Sequence, residues 1–134
     1  MNRFFIIAAL ALTATSPVFA GKVVVAADSS QGPLDKAAVQ AIFLGRPAQV
    51  GGQGAVVVFQ KGPVRASFES GVVGRSGTQL TAHWSRLVFT GRAKAPEDLA
   101  DDAAVKAKVA STPGAIGYIS DAAVDASVKV ILDF

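Results

Sequence analysis

Apolar positions along the chain fall into two kinds of segment that take turns. Four are short and continuous: Val23 to Ala27, Ala55 to Phe59, Ala115 to Ile119 and Val128 to Leu132. Valine-rich runs of this length without strict polar alternation are what strands become when both faces of a sheet are covered. Between them, apolar residues recur at helical spacing. Leu34, Ala38 and Ile42 are four apart, with Phe43 alongside, and Gly45 and Pro47 end that pattern. Val64, Phe68 and Val72 repeat the spacing before Gly74 and Gly77 interrupt it. Leu80, Trp84, Leu87 and Val88 make a third stripe that stops at Thr90 and Gly91. Asp101 is placed to cap a fourth helix carrying Val105 and Val109, which Pro113 and Gly114 close.

The predicted order is strand, helix, strand, three helices, strand, a short helical turn near Ala122 to Ala126, and a last strand. That is an α/β layered domain. Gly51 to Gly54 reads as a flexible loop. Arg92 to Glu97 reads as an extended connector, because Pro96 disfavours helix at Ala95.

The first residues follow neither pattern. Asn2 and Arg3 form a short positive start, and Phe4 to Leu12 is unbroken apolar sequence, too short for the roughly 20 residues that cross a bilayer. Pro17 then precedes Val18, Phe19 and Ala20, with small residues where a signal peptidase reads. Residues 1–20 are therefore expected to be a cleaved export signal, and residues 21–134 one domain of ordinary size for a single core. The chain has no cysteine, so neither a lipid anchor nor a disulfide is available to the product. A soluble periplasmic protein without a membrane anchor is the expectation. The formal charge of +3 falls by one with the loss of Arg3, and the remaining charges are dispersed. Nucleic-acid binding generally needs a clustered basic face, so that partner class is not expected.

Signals of catalysis are sparse. There is one histidine, no cysteine and no Gly-x-Ser-x-Gly elbow, which argues against a hydrolase, a metalloenzyme or a bound cofactor. His83 shares a helix side with Gln79 and Arg86, which reads first as a solvated helix face and only secondarily as a polar patch lining a cleft. Asp98, Asp101 and Asp102 lack the spacing of a calcium loop and suit a helix start, where the dipole favours carboxylates. Arg75, Ser76, Gly77 and Thr78 look like a helix stop followed by a hydroxyl cap.

Gln60, Lys61, Gly62, Pro63, Val64 and Arg65 follow a buried strand and open a helix. Binding clefts in open α/β sheets form beyond the carboxyl ends of strands, and a helix start offers unpaired N–H groups to an anion. Pro63 suits the first helical turn, Gly62 permits close approach, and Lys61 and Arg65 add positive charge. An ordinary strand-to-helix turn with surface cations is the alternative reading.

With these segments in place the chain resembles the phosphate-binding proteins of ABC importers. The resemblance lies in Ala41-Ile42-Phe43-Leu44-Gly45, in Val56 to Arg65, in Trp84-Ser85-Arg86-Leu87-Val88-Phe89-Thr90-Gly91 and in Thr112-Pro113-Gly114-Ala115-Ile116-Gly117-Tyr118. It implies a single lobe of the type II periplasmic binding-protein fold, α/β, with a mixed sheet of about four to five strands flanked by helices. It also implies an oxyanion held by hydroxyls, backbone amides and an arginine at a helix start. Here the paired hydroxyls of that family motif are missing, and Lys61, Gly62, Val64, Arg65 and Ser67 are the remaining candidates.

Two functions are carried forward. One is a non-catalytic, exported domain binding phosphate or another small oxyanion, with a second copy or a protein partner closing the cleft. The other is a periplasmic interaction or assembly module that kept the lobe fold but not tight anion binding.

Overall fold

The computed structural model describes residues 20–134, and the expected export signal lies outside the described residues apart from its last residue. Five strands make one mixed sheet: β1 (Gly21–Ala26), β4 (Val56–Gln60), β5 (Glu97–Leu99), β6 (Ala115–Ser120) and β7 (Val128–Asp133), in the order β5-β4-β6-β1-β7. β4 runs parallel to both β5 and β6, while β1 is antiparallel to β6 and β7. This is the expected mixed sheet of four to five strands flanked by helices.

Alternation along each strand divides the core in two. Val23, Val25, Phe59, Ile116 and Tyr118 point to one face, against α1 (Lys36–Phe43), α2 (Val64–Phe68) and α3 (Gly77–Phe89). Val24, Val58, Ala115 and Ile119 point to the other, against Val105 and Val109 of α4 (Asp102–Ser111). Both faces are therefore dry, which is why the valine runs carry no polar alternation. α4 lies close on β6 because Gly117 has no side chain: a Cβ there would stand 2.7 Å from Val105 Cγ1.

Helix starts follow the expected chemistry with one exception. Asp101 caps α4 by accepting from the Ala104 N–H, and Asp35 does the same for α1 from Ala38. Ser76 occupies the cap position of α3 but makes no side-chain cap bond. The Glu69 carboxylate takes that role by accepting from the Gly77 N–H at 3.4 Å.

Four local expectations are corrected. The connector over Arg92 to Glu97 ends in the edge strand β5, whose three residues pair with Val58 to Gln60. The loop at Gly51 to Gly54 is a tight hairpin between β2 (Gln49–Val50) and β3 (Gln53–Gly54). Both strands are too short to carry a period, so hydrophobic patterning cannot register them. The second helix keeps its stripe but not its winding: after Phe68 it widens into a π-helical turn over Glu69–Val73, closed by Gly74 with φ of 74°. The short turn expected near Ala122 is a 3-10 turn at Asp121–Ala123.

Candidate functional site

At its carboxyl end β4 parts from β6, and two side chains bridge the opening. The Gln60 N–H donates to the Tyr118 hydroxyl at 3.2 Å, and that hydroxyl donates to the Gln60 carbonyl at 3.3 Å. Gln60 Nε2 donates to the Tyr118 carbonyl at 2.7 Å and to Asp102 Oδ1 at 2.8 Å. Gln60 is 1% exposed, and its Oε1 is a buried acceptor with no hydrogen-bond partner among the described residues. It faces Gly62, where a Cβ would come within 2.5 Å of it. Tyr118 stacks on Phe68 with ring centroids 4.0 Å apart, and burial pushes its hydroxyl well above the usual tyrosine range.

Asp102 closes this network from the first turn of α4. It accepts from the Ser120 hydroxyl and N–H as well as from Gln60. Burial pushes its carboxyl up, but the hydrogen bonds from Ser120 and Gln60 outweigh that and hold it below the usual carboxylate range.

Beyond Gln60 the chain turns through Lys61, Gly62 and Pro63 into α2. Lys61 donates its backbone N–H to the Leu99 carbonyl at 2.8 Å, and its side chain is exposed. Among the described residues the N–H groups of Gly62 and Val64 meet no acceptor, as expected of a helix start.

Arg65 lies differently from the expectation. Its Nε donates to Glu69 Oε1 at 2.8 Å, and an NH group reaches both oxygens of Asp98 at 3.0 and 3.2 Å. The guanidinium also sits 5.9 Å from the centre of the Phe59 ring. Burial alone would lower its pKa, but Glu69 and Asp98 outweigh that and raise it. Two carboxylates thus already neutralise the one arginine expected to face an anion. Glu69 is 4% exposed and joins Arg65 to the start of α3 through Gly77. The Val64 side chain is buried beside Gly21 in the core, leaving only its N–H to the turn. Ser67 is half-buried further along α2. Of the five candidates, Lys61, Gly62 and the Val64 amide share the turn itself, whereas Arg65 is directed to β5.

The aspartate cluster divides its tasks: Asp98 pairs with Arg65, Asp101 caps α4, and Asp102 holds the strand ends. Among the described residues no group of three His, Cys, Asp or Glu side chains could hold a metal ion. Nor is any helix of these residues long and apolar enough to cross a membrane.

The architecture is that of a single lobe of a type II periplasmic binding-protein-like fold. Two solved structures share it. One is an ABC-type phosphate transport receptor from Vibrio cholerae, with a TM-score of 0.63 and 22% identity over 83% of this chain and 44% of that one. The other is from Clostridium perfringens, described as a phosphate ABC transporter substrate-binding protein and solved with bound phosphate. It has a TM-score of 0.63 and 19% identity over 85% of this chain and 45% of that one. The chain thus spans under half the length of either receptor. No protein-family model and no curated protein matches it.

Proposed function

We propose that this chain is a non-catalytic, exported ligand-binding domain that takes phosphate or a related small oxyanion at the turn from Lys61 to Ser67. The observation that carries the reading is the pair of unpartnered N–H groups of Gly62 and Val64 beside the exposed Lys61, at the carboxyl end of β4. The phosphate bound by one fold relative gives the ligand class its support. With Arg65 held by Glu69 and Asp98, attraction falls to Lys61 and the amides. An open site of this kind binds on the millimolar scale, about −4 kcal/mol. Closure by a second copy or a protein partner would exclude water and strengthen each of these hydrogen bonds. Isothermal titration of residues 21–134 with phosphate tests the reading. Saturable heat that Lys61→Gln weakens supports it, and absence of heat up to about 10 mM phosphate overturns it.

A second reading, an interaction module, is favoured by a separate observation. Phe89 is 92% exposed and Val88 40% exposed at the end of α3. They rim a groove of about 480 Å³ that also takes in Phe59, Leu80, Trp84 and Pro96. Large apolar surface held in a concave groove is the usual mark of a docking face. Light scattering of the protein and of Phe89→Ser tests this reading: a complex of two or more chains that the substitution dissolves supports it, and a monomer in both counts against it.

A further inference from the structure

The outer side of α3 holds a second cationic feature that the turn at Lys61 does not explain. Arg75, Gln79, Ala82, His83 and Arg86 line a surface cavity of about 250 Å³. Gln79, His83 and Arg86 are on one side of the helix at spacings of four and three, and Arg75 reaches the cavity from the segment just before it. His83 is fixed at both nitrogens: Nε2 lies 2.7 Å from the Leu44 carbonyl and Nδ1 lies 2.9 Å from an Arg75 NH group. A carbonyl only accepts, so Nε2 carries the hydrogen, and Nδ1 offers its lone pair to the guanidinium. A neutral imidazole therefore positions Arg75 while leaving its other donors free.

Among the described residues no carboxylate forms a salt bridge with this charge. The salt bridges among the described residues involve Lys22, Arg65, Lys106 and Lys108, and none involves Arg75 or Arg86. Arg65 shows what this chain does with an arginine used for structure, which is to pair it with acids.

We infer that the Arg75–Gln79–His83–Arg86 cavity is a binding site for a phosphoryl oxyanion, separate from the turn at Lys61. Two guanidinium groups offer paired, near-parallel donors that match the oxygens of a tetrahedral dianion. The Gln79 amide can donate to an unprotonated oxygen or accept from a protonated one. Acetate, with two oxygens and a single charge, offers the two arginines fewer acceptors and less charge than a tetrahedral dianion does. The phosphoryl group could come from free phosphate or from a phosphate monoester, since the cavity is open to solvent.

His83 is the one histidine of the chain, so its ring resonances report this cavity without ambiguity. Proton–nitrogen spectra of residues 21–134 are recorded while inorganic phosphate, or separately glycerol 2-phosphate, is raised to about 20 mM, with chloride matching the ionic strength. The expected result is a saturable shift of the His83 ring signals that Arg75→Gln with Arg86→Gln weakens about tenfold or more. Unchanged emission from Trp84, the one tryptophan, shows that α3 remains packed in that variant. Stronger response to phosphate assigns the free anion, and stronger response to the ester assigns an esterified group. His83 signals that neither compound moves, or moves no more than chloride does, overturn the inference. Amide shifts at Gly62 and Val64 report the turn in the same spectra, so the two sites stand or fall separately.

Discussion

Arg65 and Arg75 stand at opposite ends of the segment that links β4 to α3, and the chain treats them in opposite ways. Arg65 touches Glu69, Asp98, the Gln60 carbonyl and the Phe59 ring. Arg75 touches one neutral imidazole. The first guanidinium is part of how α2, β5 and α3 are held together, and the second has donors to spare. An arginine at a helix start, which reads from sequence as a binding group, can be committed to structure through its Nε and one Nη. A cationic helix face, which reads as mere solvation, can be the unsatisfied one.

The sharpest way to break that comparison is to make the same substitution at both positions. Arg65→Gln leaves the buried Glu69 carboxylate without its cation. Removing one partner of such a pair costs about 3 kcal/mol, read as a lower denaturation midpoint at unchanged slope. Tyr118→Phe comes next, since it leaves the Gln60 N–H without a partner in the core and the Gln60 carbonyl with only the long contact from Arg65. The expected loss is about 2 kcal/mol by the same measurement.

Acid should act on the network that joins Asp102 to Gln60 and Ser120 at the strand ends. Asp102 is held below its ordinary range in the folded state, so the unfolded chain binds its proton first as pH falls. Its contribution is full above the usual carboxylate range and is lost as pH drops through that range and below. Asp102→Asn should lower stability at neutral pH by about 1 kcal/mol and flatten the fall of stability in acid. Equal slopes for the two proteins between pH 5 and pH 2, about the window that linkage assigns, would refute this.

Arg75→Gln should change least, within about 0.5 kcal/mol at moderate salt. Relief of repulsion from Arg86 could even raise stability slightly when salt is low. A loss equal to that of Arg65→Gln would show that the two arginines are alike after all.

Much of the fold was legible because burial writes itself into long segments. The valine runs, the stripes Leu80-Trp84 and Val105-Val109, and the Asp101 cap all lie where the spacing places them. The site was less legible because its chemistry joins residues far apart in sequence. Glu69 is four positions after Arg65, an ion-pair spacing visible in the sequence that the anion-site reading passed over. Asp98 lies 33 positions from Arg65, and Leu44 lies 39 from His83, so neither pairing has a local signature. The unpaired Oε1 of Gln60 likewise arises only where two strands separate. Lys61 and Gly62 keep the positions their sequence context suggests, while the roles of Val64 and Arg65 follow from tertiary packing.

The short edge strand β5 has a consequence for assembly. Its three residues, Glu97, Asp98 and Leu99, include two acids and follow Pro96. A border so brief, carrying two charged side chains that pair with Arg65 and Lys108, is a poor template for another chain's backbone, and proline next to it interrupts any extension. Growth of the sheet by strand addition is thereby discouraged on this side. Whatever associates with the β5 flank must do so through side chains, which favours a partner selected by shape over the indiscriminate stacking that leads to fibres.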